Sequence, residues 1–291
     1  PFVNYPPSDV NTIFTVLKHA ATLSRSLSMH KLFVTFDLPL YQKAVQIVHS
    51  CHNDNTLNTI MPRLGGFHLL MSYFGAVGFI MAGTGLNEIF SLCYAKNSVD
   101  KMLAGHAYAR AIRAHTLVYL ALCHKIMAEI DLSDIEKQKM TDYFLCFTEN
   151  PPDYARIDDS AVFTTANSKF TSKMEEIEKR GKTAKLWIQY VRMVGIAKSF
   201  IRSEKMGDLR LQLILIEKML PFFHASGHLH YAKAAHYYVQ DMRAYIQQMD
   251  NMSLSSGSEH TAEVEEYKKF IDRGFCTVRG TAKFWSGNFT D

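Results

Sequence analysis

The sequence predicts an α/β protein that is predominantly helical, with a small strand–helix–strand unit followed by a large all-helical region. Three observations carry that expectation. Leu32-Phe33-Val34-Thr35-Phe36 is an apolar, β-branched and aromatic run that ends in Asp37. Ile60-Met61-Pro62-Arg63-Leu64 reads as a second short strand, closed by the Gly65-Gly66 turn. Beyond residue 90 the apolar residues recur at helical spacing almost to the end of the chain. The expected division is residues 1–90 for the α/β unit and 91–291 for a helical region packed on it, as two parts or one continuous domain.

Each element has its own warrant. Leu38-Pro39 after Asp37 suits a first helical turn, and Leu40, Val45 and Val48 continue the periodicity of a helix between the strands. Gly65-Gly66 opens a further helix with His68 in its first turn. From Leu64 to Asn87 there is no Lys, Arg, Asp or Glu, enough length for a membrane span. Six glycines (Gly65, Gly66, Gly75, Gly78, Gly83, Gly85) with His68, Ser72 and Thr84 break that run, so a buried central helix is expected and no membrane span. Lys101 to Ile130 reads as one long helix with Leu103, Ala107, Ala111, Ala114, Leu117, Ala121 and Leu122 on its apolar face. Ser133 and Glu136 form a capping box that starts a helix toward Phe147, and Asn150-Pro151-Pro152-Asp153 stops it. Lys185 to Met206 is an amphipathic helix ended by Gly207-Asp208. Leu209 to Leu220 follows as a helix, with a strand left open by the alternation of Leu209, Leu211 and Leu213, and Pro221 is expected to end it. Leu229 to Met249 is the last helix, and Asn251 to Ser258 a polar loop.

Composition narrows the class little. Hydrophobic residues make up 47% of the 291 and charged residues 21%, ordinary values for a globular protein. A net charge of +4 is too weak to identify a nucleic-acid binder. The five cysteines (Cys51, Cys93, Cys123, Cys146, Cys276) are scattered without a Cys-x-x-Cys pair. They read as reduced, mostly buried thiols of an intracellular protein, nuclear or cytoplasmic, and form no metal framework by themselves. The chain starts at Pro1 with no signal-peptide pattern and stops after Phe284-Trp285-Ser286-Gly287, which suggests a fragment cut from a longer protein.

Four groups of residues carry chemical interest. Asp37, at the carboxyl end of an inner strand, stands where α/β folds place metal ligands and catalytic groups, or else it caps the helix that follows. His224 and His228, with His230 and His236 further on, are four residues apart as metal ligands on one helix face are, yet Ser226-Gly227 between them suits a loop-to-helix junction. His106, Arg110 and Arg113 form a basic stripe that either contacts nucleic-acid phosphate or is a solvated face. The glycines from Gly75 to Gly85 match no phosphate-loop or dinucleotide pattern and suit close helix packing.

Several blocks together resemble an uncharacterised, multi-copy, mobile-element-derived family of invertebrate genomes. They are Val34-Thr35-Phe36-Asp37-Leu38-Pro39-Leu40-Tyr41, Arg63-Leu64-Gly65-Gly66-Phe67-His68-Leu69-Leu70-Met71, Ser98-Val99-Asp100-Lys101-Met102-Leu103-Ala104-Gly105-His106-Ala107, Leu220-Pro221-Phe222-Phe223-His224-Ala225-Ser226-Gly227-His228 and Lys283-Phe284-Trp285-Ser286-Gly287. The succession strand-Asp, helix, short strand, helix with an early His is also similar to the middle of Mutator-like DDE transposases, whose core is ribonuclease-H-like. That second resemblance implies a partial ribonuclease-H-like unit, with Asp37 as the second metal-binding acid and His68 as the histidine of a Cys-x-x-His pattern. It departs from that pattern at Gly65, where the cysteine would stand. The implied chemistry is DNA strand cleavage and transfer assisted by two Mg2+ ions. A first acid has no candidate upstream except Asp9, in a Pro-rich opening. Glu217, Asp241 and Glu266 have no special claim to be the third, which the family resemblance places beyond Asp291. The expectation is a transposase-like fragment, inactive as this chain. The alternatives are a helical binding module for a protein or DNA partner, and an unrelated enzyme that pairs Asp37 with His68.

Overall fold

The computed structural model describes residues 5–51, 55–149 and 160–255. Among them are eleven helices and two strands. In chain order these are α1 (Val10–Ser26), β1 (Leu32–Phe36), α2 (Leu38–Ser50), β2 (Ile60–Leu64), α3 (Gly66–Ile80), α4 (Leu86–Ser91), α5 (Lys96–Leu103) and α6 (Tyr108–Ala128). Then follow α7 (Asp134–Glu149), α8 (Ala161–Glu178), α9 (Lys182–Met206), α10 (Leu209–Ala225) and α11 (Leu229–Ser255). The predominantly helical α/β class is as expected. No helix of the described residues is long and apolar enough to cross a membrane.

The chain parts into two compact units, one of residues 1–111 with 196–291 and one of 112–195. The division falls within α6 and α9.

In the first unit β1 and β2 pair in parallel, with Leu32 opposite Ile60 and Phe36 opposite Leu64. A parallel pair needs a crossover, and α2 supplies it. Successive strand residues point to opposite faces. Leu32, Val34 and Phe36 join the core made by Ile13, Leu17 and Ala21 of α1 and Ala44 and Ile47 of α2. Phe33 on the other face meets the Tyr245 ring of α11 edge-on at 5.7 Å. Helices therefore cover both faces, as a parallel sheet requires.

The glycines of α3 account for its central place. A Cβ on Gly78 would lie 2.1 Å from the Leu103 carbonyl oxygen, and one on Gly75 3.2 Å from that of Ala104. Only bare backbone lets α3 and the end of α5 approach so closely. The same contact breaks the long helix expected over Lys101 to Ile130. Gly105 takes φ +80°, and a Cβ there would meet the Met71 carbonyl oxygen at 2.1 Å. The amides of Gly105 and His106 close α5 on the carbonyls of Met102 and Lys101, a left-handed glycine cap. Apolar periodicity runs through this break, since Ala107 and Ala111 keep the phase of a helix that has been interrupted.

A second correction concerns Pro221, which sits inside α10 and does not end it. The missing amide falls one turn before the terminus. Phe222 and Phe223 hold that last turn by packing edge-on against Tyr73, at 6.1 and 5.9 Å. Gly227, at φ +76°, ends the helix instead, and Leu209–Ala225 is a helix throughout with no strand. Residues 251–255 extend α11 where a polar loop was expected. The Asn150–Asp153 stop, residues 256–258 of that loop, Glu266, Cys276 and the 283–287 block lie outside the described residues.

The second unit is built from α7, α8 and the adjoining parts of α6 and α9. Ser133 and Glu136 make the expected capping box: the Glu136 amide donates to Ser133 Oγ at 3.3 Å, and the Ser133 amide to Glu136 Oε2 at 2.9 Å. The core here is small, with Ile126, Ile188 and Val191 buried and Tyr119, Leu122, Phe170, Met174 and Ile177 packed around them.

Candidate functional site

The carboxyl ends of β1 and β2 lie side by side, and α2 and α3 start from them. The Gly65 amide donates to the Phe36 carbonyl at 2.8 Å, fastening the two strand ends together. Asp37 is half-buried, and its Oδ1 accepts from the Leu40 amide at 3.2 Å, the N-cap bond of α2, with Pro39 in the first turn. The capping reading of Asp37 is thus what the local geometry expresses. Its charge also reaches the half-buried Tyr231 phenol of α11. Burial first, and Asp37 second, push that phenol up to about 12.

His68 is exposed in the first turn of α3, its ring 5.0 Å from that of Phe67. Gly65 caps α3 without a side-chain bond. Among the described residues no group of three or more His, Cys, Asp or Glu is placed to hold a metal ion. The carboxylates that a two-magnesium centre would need beside Asp37 have no counterpart there, so the described residues do not fit that centre.

What stands behind the strand ends is a polar cluster that sequence patterning did not single out. Arg63 of β2 is 4% exposed, and its Nη2 donates to Glu204 Oε1 of α9 at 2.9 Å. The amide of Gln212, itself buried on α10, donates to the same oxygen. A Cβ on Gly66 would lie 2.8 Å from Glu204 Oε1, so the carboxylate sits against the first residue of α3. There it meets the positive end of the α3 dipole, which helices offer to anions. The Tyr238 phenol is fully buried nearby; burial raises it most, while Arg63 lowers it and Glu204 raises it. Burial and then Glu204 also raise Tyr108. The only cue in the sequence was a lone arginine within an otherwise apolar strand.

The other expected groups are placed as follows. His106 lies in the turn before α6 and not on a common helix with Arg110 and Arg113, so the stripe is not the single helical row that its spacing suggested. All three are exposed, and Arg110 Nη1 donates to Ser98 Oγ at 3.3 Å. His106 and Arg110 belong to the first unit, Arg113 to the second. His224 ends α10, whereas His228 lies beyond the Gly227 cap with its Nδ1 2.8 Å from Ser226 Oγ. The loop-to-helix junction describes these histidines. Of the cysteines, Cys51 and Cys123 are half-buried and Cys93 is exposed, and each is a thiol outside any disulfide.

One surface of the second unit is apolar and concave. Leu132, Met140, Phe144 and Leu145 line it with Lys137 and Thr141. Ile135, Phe144 and Leu145 are 69%, 46% and 55% exposed. Neither a curated protein nor a solved structure matches the chain. A family model described as a domain of unknown function, DUF8702, matches residues 1–291, and the chain belongs to that family.

Proposed function

We propose that the chain is a binding module for a protein partner, without catalysis of its own, acting inside the cell in the nucleus or cytoplasm. Its strand–helix–strand–helix unit would then be inherited from a transposon-derived, DDE-transposase-like ancestor with a ribonuclease-H-like core. The observation that carries the binding reading is the exposed apolar concavity on α7. Contiguous exposed apolar surface with Met and aromatic residues is what protein-binding sites present. In support of the ancestry, the strands are parallel and bring Asp37 and the start of α3 to one edge. Asp37 engaged as a helix cap supports the loss of its metal role. Thiols outside any disulfide suit a reducing compartment.

The test compares proteins labelled by proximity around the wild-type chain with those labelled around a Phe144→Ser/Leu145→Ser variant of unchanged circular dichroism. Loss of specific neighbours in the variant supports the reading. Identical neighbours, or Mg2+-dependent cleavage of DNA that Asp37→Asn abolishes, would overturn it. DNA is the second reading, favoured by the exposure of His106, Arg110 and Arg113. It predicts duplex binding by fluorescence anisotropy that falls steeply with salt and weakens in Arg110→Ala and Arg113→Ala.

A further inference from the structure

The second unit contains a buried histidine that the binding surface does not use. His115, on α6, is fully buried, and its Nδ1 lies 2.9 Å from the Tyr190 hydroxyl of α9. The two rings stand 5.8 Å apart, and Trp187 meets Tyr190 edge-on at 5.5 Å. A neutral imidazole suits this place. An imidazolium would put a charge out of reach of water beside a neutral phenol. We propose that His115 and Tyr190 form an acid-sensitive latch, in which protonation of His115 opens the α6–α9 contact and loosens the second unit ahead of the first.

Tyr190 faces His115 from α9, and burial holds that phenol in its neutral form. Burial pushes His115 down to about 3. Of the acids of α7 and α8, Glu136 pairs with Lys169 and Glu178 with Arg192. The direction follows from linkage: a histidine lowered in the folded state stabilises fully above its ordinary value of about 6.5. That stability drains as the pH falls toward the folded value. Carboxylates with ordinary values titrate near about 4.3 and below, so the interval above that belongs to histidine. His124, the other histidine of this unit, is exposed. The unit has little else to resist opening, since no residue of α8 is buried.

The experiment uses the full chain with Trp285→Phe, so that Trp187 reports, and follows its fluorescence from pH 8 down to about 4.5. A red shift with a midpoint between about pH 6 and 5 is expected, and His115→Gln should stay flat over the same range. Hydrogen exchange, corrected for intrinsic rates, should show residues 112–128 and 182–195 losing protection about tenfold while 209–255 keep theirs. No shift above about pH 4.5, or the same midpoint in His115→Gln, overturns the latch. Should that variant fail to fold at pH 8, exchange on the wild-type histidine decides. Equal loss in both units, or none, then rejects the latch.

Discussion

A guanidinium buried as deeply as that of Arg63 needs its counter-charge, and Glu204 supplies it from 141 residues away. Removing either partner strands the other, at about 3–5 kcal/mol, whereas replacing both with apolar groups of similar volume is close to neutral. Arg63→Met and Glu204→Met should therefore each lower the denaturant midpoint strongly, and the double variant should recover most of the loss. A double variant destabilised by the sum of the two single losses would mean that the pair is not coupled. Asp37 makes a smaller and more local claim. As a cap it tolerates Asn, while Asp37→Ala should lose about 1 kcal/mol. Equilibrium unfolding of the two variants tests this; an Asn variant as damaged as the Ala variant would point to a role for the negative charge beyond the cap.

At the scale of elements, α3 shows glycine acting against helix propensity. Alanine normally stabilises a helix interior over glycine by about 1 kcal/mol. Gly78→Ala should nevertheless destabilise by about 1–3 kcal/mol, because its methyl would overlap the Leu103 carbonyl. Thermal unfolding gives the sign directly, and a raised midpoint would disprove the close approach. Which elements were legible follows from how locally each is determined. The caps at Asp37 and at Ser133 with Glu136 involve neighbours three residues apart, so the chain announces them. The two strands were readable from their composition. Why α5 ends at Gly105 depends on Met71, and why α10 survives Pro221 depends on Tyr73, both remote in sequence. The candidate site divides in the same way. Asp37 was visible, whereas the Arg63–Glu204–Gln212 cluster exists only after β2, α9 and α10 have packed.

The two units of the whole molecule differ in the size of their cores, and they should separate in how strongly they respond to salt and acid. The first unit holds most of the buried apolar side chains. In the second, surface ion pairs join the helices: Lys169 to Glu136 at 2.7 Å, Arg180 to Glu129 at 2.6 Å and to Glu176 at 2.9 Å, and Arg192 to Glu178 at 2.8 Å. Such pairs are screened by salt and contribute little singly, but here they link α6, α7, α8 and α9 around a small core. The hydrogen bond from Lys169, then those from Ser133, hold Glu136 down to about 2; the bond from Arg180 lowers Glu129. A carboxylate lowered in the folded state stabilises above its ordinary range of about 4.3, and that contribution is lost as the pH falls toward the folded value. Raising NaCl from 0.05 to about 1 M at pH 7.5 should therefore cut hydrogen-exchange protection of residues 134–145 and 161–178 by about two- to fivefold, and that of residues 209–250 less, because their exposed Arg210–Asp250 and Arg243–Glu217 pairs lie over a larger core. Acidification from about pH 4.5 to 2 should act on the same helices, and salt should blunt that effect because the pairs are already weakened. Glu136→Gln/Lys169→Met should lose part of both responses while leaving the His115 midpoint between about pH 6 and 5 unchanged. Parallel loss of protection in both units would show that the ion pairs do not set the stability of the second unit separately.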